Sequence, residues 1–382
     1  MGRVGDESGV ETGPRPVRVA YTVEQCWDSS PGGTAVAALR IAHELAALSD
    51  DVDVRLVAGK HLRVPDKPYR PAGTVAMLPL ARPLLYETWV RWNWPKVESA
   101  TGAVDVAHAT GLIPCGTAAP LVVTLHDVAF LHSPQQFTAH GVRIMTKALD
   151  VIRDRTDRVL VPSAATLGDC LEAGIAADRL RVVPLGVDVE PASPSSIERV
   201  VRRYELPDEF VLFVGTLQPR KNLARLVAAM AARRSTQALV VVGAQGWGDD
   251  VDVARSDVDV RFLGFVPDDD LGPIYAAAGV FAYPSEREGF GLPVAEAMAQ
   301  ATPVVTSAGT STEEVAGGAA VLVDPFDVRS IADGIDAAFD QRVELAARSV
   351  ARVRELSWAS AARRTLDVYR ELADGGGPAA AQ

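Results

Sequence analysis

Four short runs in this chain carry residues whose types and spacing could do chemistry. The most specific is Ser285-Glu-Arg-Glu-Gly-Phe-Gly-Leu-Pro-Val-Ala-Glu296, in which Glu288 and Glu296 are separated by seven residues. Carboxylates repel phosphate but accept hydrogen bonds readily from sugar and ribose hydroxyls. Gly289 and Gly291 let backbone amides approach a ligand closely. Pro293 suits the first turn of a helix, and a helix opening behind Phe290, Gly291 and Leu292 offers free N–H groups and a positive dipole end to a diphosphate.

The second run, Phe213-Val-Gly-Thr-Leu-Gln-Pro-Arg-Lys-Asn222, leaves a predicted strand and enters a predicted helix. Arg220 and Lys221 are adjacent cations that suit a diphosphate, and each charge-assisted hydrogen bond contributes roughly 1.5–3 kcal/mol. Such donors can offset charge developing on a leaving group without a metal. The third, Ser30-Pro-Gly-Gly-Thr34, resembles an anion-binding turn through Gly33, although the dinucleotide fingerprint Gly-x-Gly-x-x-Gly is absent. The fourth is Leu125-His126-Asp127 at a predicted strand end, where His126 can hydrogen-bond a sugar or move a proton. His43, His61, His108, His132 and His140 have no comparable placement and read as structural. Asp51-Val-Asp53, Asp250-Val-Asp252 and Asp257-Val-Asp259 read as solvated charge, so no metal is expected.

These runs need strand ends to present them, and the chain supplies alternating strand and helix patterns. Predicted strands are 17–23, 52–58, 75–78, 104–108, 121–125, 158–162 and 180–184, with helices near 33–48, 83–99, 139–156 and 164–173. Residues 188–199 lose the periodicity and read as a linker. The pattern restarts with strands at 210–215, 237–243, 260–264, 279–283, 303–306 and 320–323 and helices near 222–233, 268–277, 292–300 and 328–339. The fold class is therefore α/β, with two doubly wound units whose strand ends face a common cleft. The expected divisions are a tail at 1–16, a first domain at 17–190, a second at 191–356, a helix at 357–373 packing back onto the first, and a tail at 374–382.

Composition bounds the reading. Of 382 residues, 48% are hydrophobic and 23% charged, which fits a globular chain. The first 190 residues hold 19 basic and 22 acidic side chains, the remainder 19 and 27. That balance argues against nucleic acid as a partner. Cys26, Cys115 and Cys170 form no framework and read as reduced, buried thiols. No apolar run reaches membrane-spanning length, so a cytoplasmic location is expected. Trp89, Trp92 and Trp94 among Arg82, Arg91 and Lys96 favour packing over a membrane surface, with peripheral contact at its inner face the alternative.

Together these stretches resemble glycosyltransferase family 4, the retaining GT-B enzymes, over nearly the whole chain. The resemblance is carried by Glu288-Gly-Phe-Gly-Leu-Pro-Val-Ala-Glu296 and by Gly215-Thr-Leu-Gln-Pro-Arg-Lys-Asn222, the latter similar to a mannosyltransferase-like branch. His126-Asp127, Val161-Pro-Ser163, Val183-Pro-Leu-Gly-Val-Asp188 and Ser357-Trp358 support it. It implies that Arg220 and Lys221 bind the donor diphosphate and that Glu296 holds the ribose. Glu288, with the Gly289–Leu292 backbone, would hold sugar and phosphates, and His126 would touch the donor sugar. The turn at Gly33 would close over them. It implies a nucleotide-diphospho-sugar as co-substrate with no cofactor, GDP-mannose favoured and a UDP-sugar the alternative. The acceptor would be a glycan, a lipid-linked molecule or a small hydroxyl compound. Thr216, Ala301 and Glu313 depart from the family pattern. A sugar-nucleotide 2-epimerase and a non-catalytic nucleotide-sugar-binding protein remain the rival readings.

Overall fold

In a computed structural model, residues 15–28, 31–233, 236–244 and 257–375 are described. The first seven strands are β1 (Val17–Thr22), β2 (Val52–Ala58), β3 (Ala76–Met77), β4 (Val106–Ala109), β5 (Leu121–Thr124), β6 (Arg158–Val161) and β7 (Leu180–Val182). They form one parallel sheet in the order β3-β2-β1-β4-β5-β6-β7. The second sheet contains β8 (Phe210–Val214), β9 (Ala238–Val242), β10 (Val260–Gly264), β11 (Val280–Tyr283), β12 (Val304–Ser307) and β13 (Ala320–Val323). Its order, β10-β9-β8-β11-β12-β13, repeats the first winding. In both, the order reverses beside the first strand, between β1 and β4 and between β8 and β11. Loops leaving the strands there splay apart and make a crevice for a ligand.

The β-branched runs become central strands because both faces are covered. All residues of β4, β5, β8, β9, β11 and β12 are buried, as a parallel sheet between helix layers requires. Cys26, Cys115 and Cys170 are free and buried.

Three expectations about elements need correction. The helix expected at 83–99 breaks into Arg82–Trp92 and Glu98–Thr101. Asn93 ends the first with a left-handed φ of 51°, and Pro95 follows, which cannot continue the hydrogen-bond ladder. The linker expected at 188–199 is shorter, because the helix Pro194–Arg203 starts inside it. Ser193 caps that helix, accepting from the Ser196 N–H at 3.2 Å, and Pro194 takes its first position. The expectation of packed tryptophans holds only for Trp89. It is 1% exposed and donates to the Pro95 carbonyl at 2.9 Å, whereas Trp92 and Trp94 are 68% and 52% exposed.

The chain's last helix, Trp358–Gly375, returns from the second sheet to lie against the first. Gly186 makes room for that return: a Cβ there would sit 2.1 Å from the Trp358 nitrogen. At the far end, the buried His108 ring on β4 bridges the Tyr369 hydroxyl (2.6 Å) and Thr124 Oγ1 (2.7 Å). Burial pushes His108 down to about 3, so the ring is neutral and structural. Arg370 pairs with Asp51, and Glu371 accepts from Arg158 at 2.5 Å. Tyr369→Phe should therefore strand a buried imidazole nitrogen and lower stability by about 1–3 kcal/mol in urea denaturation.

Candidate functional site

The strand ends of the two sheets enclose a cleft of about 490 Å³. Gly33, His126, Arg220, Lys221, Glu288, Gly289, Phe290, Gly291, Leu292 and Glu296 all line it. Residues far apart in sequence thus meet because four chain segments leave the ends of β1, β5, β8 and β11, at or beside the two reversal points.

Arg220 and Lys221 occupy a single 3-10 turn, Pro219–Lys221, directly after β8. Asn222 holds that turn with a left-handed φ of 65°, its Nδ2 donating to the carbonyls of Pro284 (2.8 Å) and Pro325 (2.6 Å). The two cations are only 18% and 11% exposed, so they need a counter-ion. Glu288 supplies it. Its Oε2 accepts from Arg220 at 3.0 Å, while its Oε1 accepts from Lys221, from the Tyr283 hydroxyl at 2.9 Å and from Ser285 Oγ at 2.7 Å. Burial alone would raise the Glu288 carboxyl, but Lys221 and Arg220 outweigh it and hold the group well below the usual carboxylate range.

This arrangement constrains the role expected for Glu288. One carboxylate oxygen is saturated from inside the protein, and only Oε2 keeps acceptor capacity for a ligand. Tyr283 and Ser285, which complete the cluster, were not singled out from sequence; their positions at the end of β11 were the available signal.

Next to the cations, the helix Leu292–Ala299 begins without a side-chain cap, because its N-cap is Gly291 at φ +107°. Pro293 has no N–H and the Val294 amide donates to the Gly291 carbonyl at 2.9 Å, which leaves the Leu292 amide of the first turn for an anion. The glycines here serve a second purpose. A Cβ on Gly289 would fall 1.8 Å from the His126 carbonyl oxygen, so only glycine lets the second domain's loop meet the end of β5. The Gly289 carbonyl is then clamped by Ser163 Oγ (2.7 Å) and Thr166 Oγ1 (3.0 Å) from the first domain. Glu314 adds a further tie, accepting from the Ala164 and Ala165 amides at 2.8 and 2.7 Å.

His126 lies in the same corner. Its Nε2 faces the Thr110 carbonyl at 3.3 Å; a carbonyl can only accept, which fixes Nε2 as the protonated nitrogen and leaves Nδ1 an acceptor. Burial lowers His126, against the opposing pull of Asp127 and the Thr110 carbonyl, so the ring is neutral at pH 7. Gly33 sits in the first turn of the helix Gly32–Ala46, where Leu292 Cδ1 would be 3.0 Å from any added Cβ. Ser30 of the same run lies outside the described residues. Asp53 and Asp259 pair with Arg55 (2.7 Å) and Arg261 (2.8 Å), and Asp51 with Arg370. Asp250 and Asp252 lie outside the described residues. Among the described residues no group of three potential metal ligands is gathered.

Glu296, one turn into its helix, accepts from the Tyr275 hydroxyl at 3.0 Å. Burial, reinforced by Asp268 and Asp188, pushes its carboxyl up to about 7. Ala301, where the family pattern has glycine, adopts φ +58°, which explains the usual preference for glycine. Glu313 accepts from the Gly309 amide at 2.6 Å.

Two doubly wound domains that close a cation-and-amide site between their strand ends define a GT-B glycosyltransferase. The chain belongs to glycosyltransferase family 4. Residues 31–191 match the family model described as Glycosyltransferase Family 4, and residues 197–355 match Glycosyl transferases group 1. The O-antigen chain mannosyltransferase B of Escherichia coli is 35% identical over 66% of this chain and 70% of its own length. A D-inositol 3-phosphate glycosyltransferase of Acidothermus cellulolyticus is 32% identical over 66% of this chain and 62% of its own length. Among solved structures, HepE of Anabaena with UDP and glucose superposes with a TM-score of 0.70 at 20% identity, covering 93% of this chain and all of that one. The lipopolysaccharide glycosyltransferase WaaG superposes with 0.69 at 18% identity, covering 92% and 99%.

The raised Glu296 carboxyl has a measurable consequence. Its folded value of about 7 exceeds the ordinary value, so its contribution is fully present below about pH 4.3 and is lost as pH rises through 7. Glu296→Gln, which mimics the protonated acid, should stabilise the ligand-free protein at pH 8 by about 1–3 kcal/mol and change little at pH 5. Thermal denaturation of both proteins at the two pH values measures this.

Proposed function

We propose that the chain transfers a hexosyl group, mannosyl by preference, from a nucleotide-diphospho-sugar to a hydroxyl acceptor, with retention of anomeric configuration and without a metal ion. The observation that carries the proposal is the Arg220–Lys221 couple buried beside the uncapped start of the helix Leu292–Ala299. Together they present positive charge and free amides to a diphosphate of about −2 charge, the task a divalent ion would otherwise perform.

In this reading the leaving diphosphate lies against Arg220, Lys221 and the Gly289–Leu292 amides. Glu296 accepts from the ribose hydroxyls, and neutral His126 uses Nδ1 to accept from a hydroxyl of the donor sugar. The bond from the anomeric carbon to the diphosphate oxygen breaks with its electron pair passing to the phosphate. The acceptor oxygen bonds to the same face of the sugar, and its proton passes to that phosphate oxygen. No side chain is required as a nucleophile.

Guanine is favoured over uracil by one feature of the rim. Asp268, close enough to Glu296 to raise its carboxyl, lines the cleft and has no side-chain hydrogen bond among the described contacts. A carboxylate there complements the adjacent N–H donors of guanine, which uracil does not present as a pair. The mannosyltransferase relative supports the same donor sugar.

Calorimetry with GDP-mannose and GDP tests the site. Arg220→Ala and Lys221→Ala should each weaken binding about 10- to 100-fold, since each removes a charge-assisted contact. Glu296→Ala should weaken nucleotide binding more than it slows turnover. Unchanged affinity in all three variants would remove the proposed site. Transfer should survive EDTA, and the product should keep the donor's anomeric configuration by NMR. Release of a free 2-epimer without acceptor would point instead to the epimerase.

A further inference from the structure

Beside the donor cleft, a second concavity of about 250 Å³ opens into the first domain. The two share Thr34, His126 and Asp127, so anything seated there meets the donor at the corner where transfer would occur. Its walls are apolar, formed chiefly by Tyr86, Ile113, Phe130, Phe137 and Met145. Phe137, Ile113 and Met145 are only partly covered by the protein.

The polar inventory of this pocket is one-sided. No lysine or arginine lines it, and its charged groups are Glu24 and Asp127. Glu24 is spent inside the protein: Oε2 accepts from the Gly59 amide at 2.6 Å, and Oε1 from His61 at 2.9 Å and Arg82 at 3.2 Å. Asp127 gives Oδ1 to the Ala129 amide at 3.0 Å; among the described residues no hydrogen bond reaches its second oxygen, although its charge acts on Arg220 and Lys221. Among the described residues the Tyr86 hydroxyl has no hydrogen bond either; burial raises that phenol, and Arg82 lies 5.9 Å from its ring centroid. Its ring stacks on Trp89 with centroids 6.2 Å apart. Two unpaired polar atoms therefore face an apolar bowl with a negative edge.

A phosphorylated acceptor placed here would lose its hydration against apolar walls with no lysine or arginine in the lining and a carboxylate beside it, an uncompensated cost. An uncharged pyranose meets the opposite situation. Its hydroxyls can donate to Asp127 and pair with Tyr86, while its C–H face lies on aromatic and aliphatic side chains. The volume lies below the roughly 300–1,000 Å³ of ordinary ligand pockets, enough for one ring with the rest of the molecule outside.

We propose that this pocket seats the terminal, uncharged sugar ring of a neutral glycan acceptor and discriminates against sugar phosphates. The inference rests on the transferase reading above and specifies the acceptor class for it.

Saturation-transfer NMR on the full chain, with GDP present, tests the proposal against a panel of neutral methyl glycosides and the matching sugar 6-phosphates. At least one neutral glycoside should bind, no phosphate should, and Phe137→Ala or Tyr86→Phe should weaken the neutral ligand at least tenfold. Ile113→Arg, which adds a cation to the wall, should admit a phosphate that the parent protein rejects. Binding of a phosphate to the parent at this pocket, absence of any neutral binder, or a neutral binder insensitive to both wall substitutions would overturn the inference. GDP calorimetry on the same samples separates the two readings. Intact nucleotide binding with a failed sugar panel sinks the acceptor pocket alone, whereas lost nucleotide binding in the parent protein sinks the donor site. It also shows that each variant is folded.

Discussion

A single buried carboxylate makes the donor site possible. Arg220 and Lys221 stand side by side with little solvent access, an arrangement that would be strongly unfavourable alone. Glu288 accepts from both cations and from Tyr283 and Ser285, so the cluster carries one net positive charge with its inner lone pairs satisfied. Breaking such a pair costs about 3–5 kcal/mol, since it leaves buried charge uncompensated. The cations are thus preorganised rather than free, and in the proposed function a diphosphate would complete a partly neutralised cluster.

That cluster also fixes how the domains meet. Glu288 sits one residue before Gly289, whose missing side chain admits the His126 carbonyl and whose own carbonyl is held by Ser163 and Thr166. Glu314 reaches the same first-domain helix from the short helix Ser311–Ala316. The loop that places the counter-ion is therefore the loop that docks onto the first domain, and His126 reaches the cleft at that junction. Charge neutralisation and domain apposition share one short segment: Gly289 must lack a side chain to meet the first domain, and Gly291 is held by its left-handed φ of +107° and by Thr312 2.7 Å from any added Cβ.

Much of this was legible in the sequence, and the exceptions have physical reasons. Strand positions could be read because the central strands are apolar on both faces; β8 and β11, Phe210–Val214 and Val280–Tyr283, fall within the predicted 210–215 and 279–283. The convergence of His126, Arg220, Glu288 and Glu296 followed from strand-end placement in two repeated windings. What sequence could not show was partnership. Nothing in the spacing of Glu288 reveals that its oxygens turn inward to Lys221 and Tyr283, because that depends on the angle at which β8 and β11 deliver their loops. The same is true of Asp127 and Tyr86, which are 41 residues apart and face one pocket only after the first sheet is assembled. Trp94 stays exposed because the helix ends at Trp92, so periodicity past that point has no burial meaning.

The two halves of the cleft divide the electrostatic work between them. The second domain gathers positive charge where a leaving group becomes more negative, despite being the more acidic part of a chain with net charge −11. The first domain offers a bowl without cations where an incoming hydroxyl must stay neutral until it loses its proton. A cation in that bowl would attract the donor's phosphates into the acceptor's place and would also draw charge away from the departing diphosphate. Glu296 shows the complementary cost in the second domain: a carboxyl pushed up to about 7 destabilises the ligand-free protein when ionised, and in the proposed function ribose hydroxyls would relieve that strain by donating to it. In the proposed function, selectivity for donor and acceptor follows from where unpaired charge is tolerated and where it is excluded.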